Sequence, residues 1–124
     1  MPLYHDRGVV LRTHKLGEAD RIVSFLTRDH GKVRAVAKGV RKTKSRFGGR
    51  LEPPSHVQLL LYEGRGELEI VSQAETIDHF RPLREDLDRL ARAVSMLEAA
   101  DQLALERHAN RPLYEMLVGA LRTL

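Results

Sequence analysis

The sequence predicts an α+β chain, with a small barrel of strands ahead of an incomplete layer of helices. Two observations carry that prediction. Five short runs rich in β-branched and apolar residues lie between residues 7 and 72, set apart by turn residues and free of helical period. From Pro82 the apolar spacing changes to alternating steps of four and three, the period of a helix buried along one face.

Residues 7–12, with Val9-Val10-Leu11 closed by arginines, form the first run. Thr13 to Asp20 is polar, contains Gly17, and reads as a connecting loop. Residues 21–27 are again β-rich, and Arg28-Asp29-His30-Gly31 supplies a turn ending on glycine. Residues 32–38 alternate, with Val33, Ala35 and Ala37 on one face, so the second and third runs make an antiparallel hairpin. The fourth run, residues 57–62, places Val57, Leu59 and Leu61 inward. Glu63-Gly64-Arg65-Gly66 turns the chain into the fifth, residues 67–72, with Leu68 and Ile70 inward and Glu67, Glu69 and Val71 outward. Five strands curled into a closed antiparallel Greek-key barrel leave no open sheet edge, and that is the oligonucleotide-binding (OB) fold. Pro53-Pro54 enters the fourth strand and so lies inside the barrel domain, which we place at residues 1–80.

Residues 81–124 read as the start of a helical domain. Leu83, Leu87, Leu90, Val94 and Leu97 form the stripe of one helix, with Glu85, Asp88, Arg89, Arg92 and Glu98 opposite. Residues 108–112 break the pattern. A second helix, capped by Asn110 or Arg111, is expected to bury Leu113, Met116, Leu117, Ala120, Leu121 and Leu124. Its stripe is still apolar at Leu124, which predicts a further helix over it and a chain shortened from something longer.

At 124 residues a single core needs no disulfide or metal staple. There is no cysteine, and the six histidines (His5, His14, His30, His56, His79, His108) show no metal-ligand spacing, so no metal or other cofactor is expected. Neither a phosphate-binding glycine loop nor a nucleophile elbow occurs, and Glu18 with Asp20 is the only acidic pair in the basic half, too little for a metal-dependent nuclease. Enzymatic function is the least supported class. The N-terminus lacks a signal-peptide core and no apolar run approaches the roughly 18 residues of a membrane span, so a cytoplasmic, nucleoid-associated protein without membrane contact is expected.

Net charge is +4, but residues 1–50 hold 13 Lys/Arg against 4 Asp/Glu, and residues 51–124 hold 8 against 13. The basic surplus peaks at residues 38–50, where Lys38, Arg41, Lys42, Lys44, Arg46 and Arg50 alternate with three glycines and no acid. Such a loop is either a solvated tract or a track for a polyanion, and the basic half favours nucleic-acid phosphate. Lys15 in the first loop, with Lys32 and Arg34 on the strand face between, would extend it into one positive surface. Aromatic platforms are sparse. Phe25 fits the barrel core, and Phe47 either plugs the barrel mouth or touches a base, so affinity should come from phosphates and lack sequence preference.

Several motifs, in order, carry a resemblance: Val10-Leu11, Gly17-Glu18-Ala19-Asp20-Arg21-Ile22-Val23, Leu26-Thr27, Gly31-Lys32, Ala37-Lys38-Gly39-Val40-Arg41, Ser45-Arg46-Phe47 and Leu51-Glu52-Pro53. Together they resemble the N-terminal half of the RecO family of bacterial DNA repair and recombination mediators, strongly over residues 4–80 and more loosely beyond. The resemblance implies an OB barrel followed by helices. It also implies binding of single- and double-stranded DNA, strand annealing, recombinase loading alongside RecR, and contact with the acidic C-terminal tail of single-stranded-DNA-binding protein. By position, the DNA contacts would be Lys38, Arg41, Lys42, Lys44 and Arg46, with Arg34 a further candidate. The chain departs from the family in stopping at Leu124, in lacking the cysteines of its zinc module, and in carrying Pro54 where an aromatic is common. Two other readings stay open: an OB scaffold whose basic loop holds an acidic protein tail, and an RNA-binding OB domain.

Overall fold

The computed structural model describes residues 2–41, 45, 47–64 and 66–124. Five strands, β1 (Leu3–Leu16), β2 (Asp20–Thr27), β3 (Gly31–Ala37), β4 (His56–Tyr62) and β5 (Glu69–Asp78), precede three helices, α1 (Arg81–Arg84), α2 (Leu87–Leu103) and α3 (Arg111–Thr123). The strands close into a barrel in the order β1-β2-β3-β5-β4. The barrel is not wholly antiparallel: β3 and β5 close it as a parallel pair, Ala35 opposite Glu69 and Val36 opposite Ile70.

β1 and β2 run further than the apolar runs alone predict. Their ladder continues through Lys15↔Arg21 to Leu16↔Asp20, so residues 13–20 are the end of a hairpin around a tight turn rather than a long loop. Gly17, at φ 61°, provides the left-handed step of that turn. β1 is also buried on both sides. Val10 packs inside the barrel with Phe25, Val33, Leu59 and Val71. Val9 and Leu11 face outward, joining Leu26 and the helices in a second cluster. A bulge between Val10 and Arg12 adjusts the register there.

β5 has the opposite phase from that predicted. Glu69 and Val71 are buried, at 3% and 0% exposure, while Ile70 is only partly covered. The inward carboxylate of Glu69 is tolerated because it is satisfied: it accepts from Tyr4 Oη at 3.2 Å and the Gly64 amide at 3.2 Å, and pairs with Arg107 at 3.4 Å. Burial, and then the Glu69 charge, push the Tyr4 phenol well above its ordinary pKa.

The helical part also departs from the simple stripe. Chain direction changes at Asp86, whose side chain accepts from the Arg89 amide at 3.1 Å and starts α2 afresh. Leu87 is consequently 81% exposed, and α2 buries Ala93, Leu97 and Ala100 against the barrel. In α3 the buried face is Leu113, Tyr114, Leu117, Val118 and Leu121, capped by Asn110, while Met116 is 63% exposed and Ala120 and Leu124 are half-buried. Met116 and Ala120 instead line an apolar cleft of about 200 Å³ with Met96 and Leu103 between α2 and α3.

Two polar contacts help to seat the helices. The α2–α3 connection bonds along β3, with Lys32 N–H donating to Leu105 O at 3.1 Å and Arg107 N–H to Lys32 O at 2.9 Å. Gly31, at φ 69°, lies directly beneath; a Cβ there would sit 2.1 Å from the His108 carbonyl oxygen. At the other contact, Tyr114 Oη and His56 Nε2 are 2.5 Å apart in a buried pair. Burial, with Arg122 and Arg7 nearby, holds the His56 imidazole down to about 4.

Replacing Gly31 with alanine should destabilise the chain by about 2 kcal/mol or more, since both φ and space oppose a side chain; an unchanged melting temperature would contradict the seating described. Because the folded-state pKa of His56 is depressed, its stability contribution is full above about pH 6.5 and is lost as pH falls toward 4. Between pH 7 and pH 4.5 the wild-type chain should lose roughly 2 kcal/mol more than His56→Gln in urea unfolding. Equal losses would remove His56 from the account.

Candidate nucleic-acid interface

The β1–β2 hairpin tip and the loop after β3 are fastened together by amides of the loop. Arg41 N–H donates to Ala19 O at 2.9 Å, and the Gly39 amide donates to Asp20 Oδ1 at 2.7 Å. Arg41 then reaches across the tip, its Nη1 donating to Gly17 O at 2.8 Å. Between the hairpin and the returning chain lies a groove of about 630 Å³, lined among others by Thr13, Lys15, Arg21, Arg41, Glu52 and Pro53. Three cations face one carboxylate, and Glu52 already lies 4.0 Å from Arg84.

Lys15 and Arg21 are direct cross-strand partners. Like charges placed opposite one another weaken a ladder. Arg21 Nη1 donates to Thr13 Oγ1 at 2.9 Å, and among the described residues neither Lys15, Arg21 nor Arg41 forms an ion pair. The far wall is held by Arg84 of α1. Its Nη2 donates to Pro54 O at 2.5 Å, Ser55 Oγ at 2.9 Å and Glu52 O at 3.2 Å, and its Nε to His79 O at 2.8 Å. Pro53-Pro54 in this wall is a cis peptide. Burial lowers the Arg84 pKa.

Of the predicted contacts, Lys15 and Arg41 line the groove and Lys38 is exposed on the same loop. Lys42, Lys44 and Arg46 lie outside the described residues. Arg50 turns to a separate hollow, donating to Ala74 O at 3.3 Å.

Arg34 does not belong to an open cationic track. It is held by Glu67 at 2.8 Å and Glu106 at 2.7 Å. Lys32 is likewise committed to Asp101, at 3.0 Å, so the acidic half covers the strand face expected to join the two loops. Phe47 is the plug and not the platform: it is 2% exposed and packs with Val10, Leu51 and Leu59 at the barrel mouth. Arg21 and Arg84 escaped the sequence reading. Arg21 opens an apolar run and looks like its solvent-side boundary; extending the hairpin to a two-sided tip, with Lys15 opposite, was the signal that finds it.

A closed five-stranded barrel with a cation-lined groove at a hairpin tip, backed by helices, defines an OB-type barrel-plus-helix protein. Comparison with known proteins narrows the class. The family described as "Recombination protein O N terminal" matches residues 1–80, and "Recombination protein O C terminal" matches residues 84–124. The chain belongs to the recombination protein O (RecO) family. It is 58% identical over 126 residues to the DNA repair protein RecO of Bifidobacterium adolescentis and 52% identical over 126 residues to that of Cutibacterium acnes. Both alignments cover 100% of this chain and 51% of the relative, so the chain spans about half the length of these curated relatives.

The opposed pair gives a direct test of the groove's electrostatics. Lys15→Glu converts a repulsive cross-strand pair into an attractive one and should stabilise the fold by about 0.5 kcal/mol. A melting temperature lowered by this substitution would show that Lys15 is not held against Arg21.

Proposed function

We propose that this chain is a non-enzymatic DNA-binding module of recombinational repair, which holds single- and double-stranded DNA by its phosphates and promotes annealing of complementary strands. The barrel, residues 1–80, is the DNA-binding part in this reading. The observation that carries it is the groove in which Lys15, Arg21 and Arg41 converge without an ion pair among the described residues, at a site where two of them repel. A phosphate chain relieves that repulsion by entering between the cations, and counterions released from the DNA supply the driving force. Family membership supports the wider role. Recombinase loading with RecR, and contact with the acidic tail of single-stranded-DNA-binding protein, are the partnerships we assign by it. With Phe47 buried, stacking contributes little and sequence preference should be weak.

A salt titration of a labelled oligothymidylate by fluorescence anisotropy tests the mechanism. If about four to six phosphates are engaged, log K should fall against log salt with a slope of roughly −3 to −4. Arg21→Gln with Arg41→Gln should flatten that slope by about 1.4 and weaken mixed-sequence strands to the same degree as oligothymidylate. A slope near zero in the wild type would defeat the phosphate mechanism. An acidic peptide that binds the same groove while DNA does not would favour the scaffold reading.

A further inference from the structure

A second cation-lined groove lies at the opposite end of the β1–β2 ladder. It has a volume of about 500 Å³ and is bounded by Arg7 of β1, Arg28 of the β2–β3 turn, His56 of β4, and Tyr114, Glu115 and Arg122 of α3. Like the groove at the hairpin tip, it sets three cations against one carboxylate.

Its arginines are weakly compensated. Arg7 Nε donates to Gln58 Oε1 at 3.3 Å, and Arg7 forms no ion pair among the described residues. Arg28 reaches Asp29 at 4.0 Å, and that carboxylate is already held at 2.6 Å by Arg111, whose hydrogen bond keeps the Asp29 pKa below its ordinary value. Arg122 forms no ion pair among the described residues. Burial is the main cause that disfavours protonation of His56, with Arg122 and Arg7 adding to it and Asp78 opposing. Burial likewise raises the Tyr114 pKa, with Asp6 in the same direction and Arg7, Arg28 and Arg122 against it, so carboxylates as well as arginines face the floor of the groove. His56, 3% exposed, also has its Nδ1 buried with no hydrogen-bond partner among the described residues. Three guanidiniums carrying donors in fixed forks suit phosphate oxygens, and a repeating phosphate backbone can meet more than one of them.

We propose that this groove is a second phosphate-binding site, which takes the backbone of a second nucleic-acid strand while the hairpin-tip groove holds the first. The inference rests on the DNA-binding reading above. Arg7 and Lys15 are separated by eight residues of one strand, roughly 26 Å. Between them Arg12 is paired at 2.7 Å with Asp101 of α2, which interrupts the positive surface along β1. Two sites rather than one continuous track follow from that interruption. A protein that holds two strands on separate grooves brings them together without requiring either to be released first.

The test is a stoichiometric titration of a fluorescein-labelled six-thymidine strand at low salt, with the whole chain well above its Kd. The wild type should bind two strands per chain. Arg7→Gln with Arg122→Gln should bind one, as should Lys15→Gln with Arg41→Gln. Each pair should slow annealing of complementary strands by about tenfold or more, with the melting temperature of each variant measured alongside. Arg122→Glu alone, on an exposed side chain, is the second variant should the Arg7 pair unfold, and it too should leave one strand bound. A wild-type stoichiometry of one, lost with Lys15 and Arg41, overturns the second site and leaves the functional reading standing. Two strands still bound by Arg122→Glu or by the Arg7 pair overturns it as well. No binding by the wild type removes both.

Discussion

Double-sided burial of β1 is the constraint on which the rest of the molecule depends. Val10 completes the barrel interior, and Val9 and Leu11 complete the layer under α2 and α3. A strand buried on both faces cannot slip by one residue without exchanging its two apolar sets. Register along β1 is thereby pinned at its centre, and the positions of Arg7 near one end and Lys15 near the other follow from it. Both grooves are read from the same ruler.

Part of the acidic half is spent on cations of the basic half. It acts by selecting which cations remain available. Asp101 takes Arg12 and Lys32, while Glu67 and Glu106 take Arg34. Asp101 and Glu106 bring their pairs from the helical part onto the barrel wall, where Lys32–Asp101 is largely covered and the pairs help to fix how the two parts dock. Among the described residues, Lys15, Arg21 and Arg41 at one end of the ladder and Arg7, Arg28 and Arg122 at the other are left to line grooves.

Most of the fold was legible because barrel strands advertise themselves through alternation: Val33, Ala35 and Ala37, then Val57, Leu59 and Leu61, all lie inside. The misreadings have specific causes. The fifth strand was phased by its apolar residues, but Glu69 is buried, and a buried acid is intelligible only once Tyr4, Gly64 and Arg107 are placed around it from distant parts of the chain. Leu87 continued a helical stripe in the sequence, yet Asp86 caps a new helix and turns Leu87 to solvent. In α3 the stripe rotates toward Tyr114 and Val118 because the partner surface is the barrel, which sequence periodicity does not identify. Of the site, the cationic loop and Lys15 could be read from composition. Arg21, Arg7 and Arg122 could not, since none lies in a cationic run and only the folded chain brings them to a groove.

Rigidity of the groove bears on how it would engage its ligand. The Arg41 and Gly39 amides donate to the Ala19 carbonyl and the Asp20 carboxylate, so the loop is fastened to the hairpin before any polyanion arrives. Little ordering entropy is then lost on binding, at least for the described part of the loop. Arg84 gives the opposite wall the same character, gathering three acceptors from residues 52–55 onto one guanidinium nitrogen. Between these walls, Lys15 and Arg21 are kept side by side against their repulsion. A free chain would separate them, whereas a strand ladder anchored by Val9, Val10 and Leu11 does not. The fold thus sets two like charges at opposed strand positions on one groove, and an entering phosphate is what that placement is suited to receive.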